Sequence, residues 1–236
     1  MLKAGSATRR NVERASGRTF PSVGEIAELL RPAYPNSNLG NKSNPLDEVA
    51  YIVLAGQTDY DLAQKSYSRF KHRFPRWEEV ADARVRTIAR VIRIGGLGHQ
   101  KAHYLKQIAF RLRADFGSVS LRWIRKMPTD EAETYLGTLP GVGVKTARCV
   151  LLYSLSRPVF PADVHCLRIM TRLGWLHWNR QRAESLADTA QDGVPPRLRR
   201  LLHIRLVQHG RAVCKARPEC SVCVLSHCCP SAGKAR

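Results

Sequence analysis

The stretch Leu139-Pro140-Gly141-Val142-Gly143-Val144-Lys145-Thr146-Ala147 constrains this chain more than any other. Apolar helical patterns flank it. One is opened by Thr129, Asp130, Glu131 and Glu133 and ends at Thr134-Tyr135-Leu136; the other runs from Val144 to Tyr153. Between them Pro140 fixes φ, and Gly141 and Gly143 permit positive φ and leave no side chain in the way. The bare backbone of such a turn is open to a ligand. The N–H groups of Val142, Gly143 and Val144 are expected to point outward at the start of a helix, where orphan donors and the helix dipole favour an anion. Taken alone, the same residues also describe a plain corner between two helices, so the rest of the chain decides.

Charge points to the anion. Lys and Arg number 39 against 19 Asp and Glu, a formal net charge of +20. A chain so basic gains affinity for polyanions by displacing their counterions. At 44% hydrophobic, 236 residues suffice for a sizeable core in one large domain or two small ones. The longest apolar run, Val49 to Gly56, is far short of the ~20 residues that span a bilayer. It fits a buried helix instead. Residues 1–19 are polar and Arg-rich, with no apolar period and no secretory h-region, and read as a basic arm.

Helical periodicity dominates the remainder, and no segment shows the sustained alternation of a strand. Helices are expected over Val23–Leu30 (stopped by Pro32 and Pro35), Pro45–Ala55, Tyr60–Phe70, Trp77–Ala83, Arg86–Arg93, Gln100–Phe116, Leu121–Lys126, Glu131–Leu136, Gln181–Thr189 and Arg197–His209. Asn44-Pro45 reads as N-cap and N1, with Asp47 and Glu48 as first-turn acids. Asp163 stands where the helix beginning at Val164 needs its N-cap. Leu97, between Gly96 and Gly98, is either an exposed residue that inserts into something or an anchor packing inward.

Cys149 and Cys166 stand alone in apolar contexts and read as core thiols. The other five cysteines fall between Cys214 and Cys229. Such clustering points to a metal or cluster site rather than a disulfide framework, and spacing alone makes zinc the commoner occupant.

Together these pieces resemble the helix-hairpin-helix DNA glycosylases, and within them the endonuclease III family. The family's LPGVGxKTA is similar to Leu139–Ala147. Its D-x-H, eighteen residues after the hairpin lysine, matches Asp163 and His165, and its HGRxxC matches His209, Gly210, Arg211 and Cys214. The resemblance implies an all-α fold of two helical domains with a DNA groove between them. A helical barrel carrying the hairpin would span 38–156. A discontinuous domain, 20–37 with 157–236, would hold a 4Fe–4S iron–sulfur cluster on Cys214, Cys220, Cys223 and Cys229.

The implied activity is base-excision repair: a DNA glycosylase with β-elimination lyase activity that removes oxidised pyrimidines from duplex DNA. The Lys145 amine would attack C1′ of a flipped nucleotide. A free lysine has a pKa of about 10.4, so it must be held neutral by desolvation or cationic neighbours. Asp163 would help set that state and offset cationic charge on the sugar. Gln57 and Leu97 would fill the gap left by the flipped base, and Gly141, Val142, Gly143, Val144 and His165 would contact DNA.

The partner implied is double-stranded DNA with damaged bases or abasic sites, bound by a monomer, with no membrane role. The location expected is cytoplasmic, at a bacterial nucleoid, with organelle targeting by the basic arm left open. Four departures qualify the likeness. The first cysteine gap is one residue short of C-x6-C, Ala55-Gly56 precedes the glutamine, Val164 replaces a threonine, and the Gly117–Thr138 connection is expected to be longer than in the shortest relatives. The alternatives are a monofunctional adenine or mismatch glycosylase, or a catalytically weak DNA-binding paralogue. Against the adenine reading, Val49–Gly56 contains no acid.

Overall fold

Asn44 and Pro45 start the helix on which the others pack. The Asn44 side chain accepts from the amides of Leu46 at 2.9 Å and Asp47 at 3.2 Å, and Pro45 withholds an N–H that the first turn does not need. The resulting helix, α2 (Pro45–Ala55), is buried at every position except Asp47 and Ala55. An apolar surface all round suits only a central helix.

The computed structural model describes residues 20–35, 38–177 and 183–234, and among these it is helical with no strand. The basic arm, residues 1–19, lies outside the described residues, as do the first two residues of the helix expected from Gln181. Around α2 pack α3 (Tyr60–Arg73), α6 (Gly98–Phe116) and α8 (Val144–Cys149); α5 (Val85–Ile92) packs on α3 and α6, α4 (Trp77–Asp82) on α6 and α7 (Thr129–Gly137) on α8. The last turn of α8 widens into a π-helical stretch, Val150–Ser154.

A second group forms on α11 (Arg199–Ala212). It comprises α1 (Val23–Ala33) and α9 (Val164–Arg172), with α10 (Ala183–Gly193) against α9. The N-terminal segment is tied to this group by distant bonds. Arg205 donates to the Ala27 carbonyl at 2.8 Å, and the Trp175 indole donates to that of Pro21 at 2.7 Å. The groups share one continuous core. The buried Arg148 of α8 also bridges them, donating to Glu133 at 2.9 Å, to the Ala187 carbonyl at 3.1 Å, and to Asp188.

Two expected helix ends shift. Pro32 does not stop α1 but lies inside its last turn, and the helix closes with Tyr34 N–H on the Leu30 carbonyl. Arg122–Lys126 is a 3-10 turn rather than an α-helix, because Met127 N–H bonds back only three residues to Ile124. Among the described residues, no helix is long and apolar enough to cross a membrane.

Candidate functional site

The hairpin turn divides its residues between core and surface. Leu139 and Val142 are buried, whereas Gly141 and Gly143 are exposed. Gly141 has φ +75°, and a Cβ there would lie 2.5 Å from the Tyr104 ring, so only glycine fits. Gly143 has φ −93° and does not use the left-handed freedom expected of it. A Cβ there would meet nothing within 4 Å, so its bareness faces outward. The Val142 N–H does not point outward as expected. It closes the turn onto the Leu139 carbonyl at 3.1 Å, because the buried Val142 side chain folds that peptide inward. Gly143 follows as the N-cap position and Val144 as the first residue of α8.

Lys145 lies in the first turn of α8 and is half-buried. Asp163 caps α9 and accepts from the amides of His165 and Cys166, both at 2.9 Å. The two charges act on each other. Burial would lower the Lys145 pKa, but Cys149, Asp163, Glu48 and Cys166 together hold it above the ordinary lysine value; near neutrality the carboxylates do this, because burial pushes the Cys149 thiol up to about 12 and that of Cys166 well above its ordinary range. These surroundings favour the ammonium form of the resting amine. Burial equally fails to raise the Asp163 carboxyl, which His203, Lys145 and the Cys166 amide hold below the usual range. His203 is itself pushed down to about 4 by burial, so near neutrality Lys145 and the capping amides do the holding.

Glu48 is the site residue that sequence reasoning missed. Read as a first-turn acid that suits the helix dipole, it is 0% exposed. Its carboxylate accepts from the Lys42 amide at 2.6 Å and the Asn41 side chain at 2.5 Å. Burial raises its pKa to about 7 against the pull of these bonds, Lys145 and Lys42. The signal available was the all-round apolar character of α2, which leaves a first-turn acid no solvent side to face.

Gln57 and Leu97 are exposed, each at the tip of a turn, with φ +51° and +50°. Left-handed backbone at a non-glycine residue costs about 1–3 kcal/mol and persists only when the surroundings hold it. Both residues line one cleft with Lys101, Tyr104, Gly141 and Thr146. Leu97 does not pack inward: half of its surface, 49%, faces solvent.

A second cleft runs between Thr58, Asp59 and Tyr60 on one side and His165, Arg168, Arg211 and Lys215 on the other. The Arg211 guanidinium stands 5.1 Å from the Tyr60 ring centroid. Arg168 donates to His165 Nδ1 at 2.9 Å. Burial and the neighbouring arginines hold the His165 pKa below its ordinary value despite Asp163.

Cys214, Cys220, Cys223 and Cys229 line one cavity with Ile169, Leu173 and Leu225. Cys228 does not line it. Arg172 donates to Cys214 Sγ at 3.1 Å and to the carbonyls of Lys215 at 2.7 Å and Ala216 at 2.8 Å. Among the described residues, no three His, Cys, Asp or Glu side chains gather as closely as a single ion requires. The four cysteines surround a hollow.

The two helices, their exposed glycine turn, the lysine behind it and the capped aspartate across from it define a helix-hairpin-helix protein. Comparison with known families makes this specific. The chain belongs to the HhH-GPD superfamily of base excision DNA repair proteins, which it matches over residues 50–196.

It is 30% identical over 223 residues to an Arabidopsis thaliana protein that bears the name of a DNA glycosylase, covering 92% of this chain and 76% of that one. It is 29% identical over 188 residues to endonuclease III of Bacillus subtilis, covering 79% and 81%. Identity to the Arabidopsis thaliana DNA glycosylase/AP lyase ROS1 is 31% over 170 residues, 65% of this chain but only 12% of that much longer one. A solved endonuclease III–DNA complex superposes with a TM-score of 0.76 at 25% identity, covering 89% of this chain and 94% of that one.

Proposed function

We propose that this protein is a bifunctional DNA glycosylase and abasic-site lyase that removes oxidised pyrimidines from duplex DNA, with Lys145 as nucleophile. The observation that carries the reading is the electrostatic pairing of Lys145, in the first turn of α8, with Asp163, the cap of α9. The likeness to endonuclease III and to a glycosylase/AP lyase supports it.

DNA would lie across the groove between residues 38–156 and the group formed by 20–37 with 157–236. The amides of Gly143 and Val144 would meet a phosphate, and the exposed Gly141 and Gly143 would let the backbone approach. Gln57 and Leu97 would occupy the space vacated by the flipped nucleotide. The cleft containing Asp59, Tyr60 and His165 would receive the base.

Attack on C1′ needs a neutral amine, and the surroundings of the resting Lys145 favour its ammonium form. Deprotonation therefore belongs to the catalytic cycle, and the Glu48 carboxylate, raised to about 7 by burial, is the acceptor that the site offers. Asp163, kept ionised by its capping amides, then faces the positive charge that develops on the sugar. As the Lys145 nitrogen bonds to C1′, the bond to the damaged base breaks and the base leaves with its electron pair; the sugar ring then opens to a Schiff base, whose acidified C2′ gives up a proton while β-elimination expels the 3′ phosphate.

The donor set also fits an iron–sulfur group. Four cysteines around a hollow, with Arg172 already donating to one sulfur, suit a 4Fe–4S cluster better than a single zinc ion. When bound, the cluster supplies structural cross-linking to a loop that has little apolar core of its own.

Borohydride trapping tests the reading on duplexes containing an abasic site or thymine glycol. Wild type is expected to form a covalent adduct on both, and Lys145→Ala on neither. Asp163→Asn, which keeps an oxygen for the cap, should lose about 10²–10³-fold in rate with its helix intact. An adduct in Lys145→Ala would remove the lysine from the mechanism. Intact binding with no adduct in wild type would leave a monofunctional or binding-only protein.

A further inference from the structure

Lys101 is a buried charge that takes no part in the proposed chemistry. It lies in the first turn of α6 with 4% of its surface exposed, and no carboxylate among the described residues pairs with it. Its ammonium makes three hydrogen bonds, the full complement of its donors. They go to the Leu54 carbonyl at 2.9 Å, the Gly95 carbonyl at 2.8 Å and the Thr58 hydroxyl at 2.6 Å. Thr58 in turn donates to the Gly95 carbonyl at 2.5 Å.

The partners belong to two separate turns. Leu54 and Thr58 bracket Gln57, and Gly95 lies two residues before Leu97. Gln57 and Leu97 are two of the three non-glycine residues with left-handed backbone among the described residues, Ser156 being the third, and the surroundings must hold them. The Leu54 carbonyl is one of the unsatisfied groups at the C-terminal end of α2, where a cation is favoured. The Thr58–Gly95 bond then closes a ring of contacts that contains both turns. Ser66 adds a stop: a Cβ on Gly95 would lie 3.2 Å from its hydroxyl, so the Gly95 turn is seated against α3.

We infer that Lys101 is a positioning residue that locks the Gln57 and Leu97 turns into one two-pronged wedge, set before DNA arrives. The inference rests on the reading of this cleft as a base-flipping site. Lys101 touches neither substrate nor reacting atoms. It fixes the spacing and backbone of the two residues that do.

The test compares wild type, Lys101→Met, Thr58→Val and Leu97→Ala on a duplex carrying a tetrahydrofuran abasic analogue opposite 2-aminopurine. Its fluorescence reports unstacking without any chemistry. Saturating wild type is expected to raise the emission. Lys101→Met should raise it no more than Leu97→Ala does, Thr58→Val should fall between, and affinity for undamaged DNA should stay within about twofold, since phosphate contacts set that affinity. Emission at the wild-type level in a folded Lys101→Met overturns the lock, as does an equal loss of emission and of affinity for undamaged DNA. If Lys101→Met fails to fold, Thr58→Val carries the test, and wild-type emission there overturns it. Borohydride trapping of wild type at a natural abasic site separates the two readings. Emission without trapping counts against the lyase and leaves the wedge standing.

Discussion

His165 and Gly210 meet so closely that a Cβ added at Gly210 would lie 2.7 Å from that of His165 and 2.8 Å from its Nδ1. Two motifs far apart in sequence are therefore one packed contact between α9 and α11, and the glycine is required by its neighbour rather than by its own backbone. Arg168 seals the contact by donating to His165 and to the Gly210 carbonyl at 3.0 Å. Gly210→Ala must push the helices apart, with an expected loss of about 1–3 kcal/mol. Denaturant unfolding measures it, and an unchanged midpoint would show that the helices part freely here.

The two hairpin glycines should behave oppositely. Gly141→Ala combines a positive φ with a clash against Tyr104, so the fold itself should lose about 1–3 kcal/mol. Gly143→Ala is free of both problems in the unbound protein. Its melting temperature should stay near wild type while DNA affinity falls, because the new methyl occupies the approach of a phosphate. Normal binding by Gly143→Ala would move the phosphate site elsewhere.

Glu48 predicts a pH dependence of stability. Burial raises its carboxyl from 4.5 to about 7, so between these values the folded chain holds a proton that the unfolded chain releases. The associated stability is complete below about 4.5 and is lost as pH rises through 7, on the order of 1–3 kcal/mol. Glu48→Gln should lack this component. The gap between the variant and wild type should thus grow in the variant's favour from about pH 5 to pH 8. Parallel stability curves over that range would sink the prediction.

Cys228 and Cys229 are neighbours in sequence, yet only Cys229 lines the four-cysteine cavity. Cys229→Ser should lose the visible absorbance and iron of the purified protein and lower its melting temperature. Cys228→Ser should retain all three. The reverse pattern would reassign the fourth ligand.

Much of this protein is legible along the chain because its signals are local. Asn44-Pro45 makes a cap whatever follows. Gly141 after Pro140 makes a turn, and the periodicity of Val144–Tyr153 makes a helix whose first turn carries Lys145. The hairpin, the two motifs around Asp163 and Gly210 and the cysteine spacing are all short-range patterns, and they sufficed to identify the family.

What only the tertiary structure decided depends on who sits beside whom. Glu48 looks like an ordinary first-turn acid until α8 and the 38–43 segment close over it. Val142 offers its amide outward until its side chain is drawn into the core. Lys101 is one basic residue among 39 until two distant turns bring it a ring of oxygens. Local conformation follows from sterics and hydrogen bonds within a few residues, which the sequence by itself determines. Burial, and with it the protonation of Lys145 and Glu48, depends on the water and charges that remain once distant segments have packed.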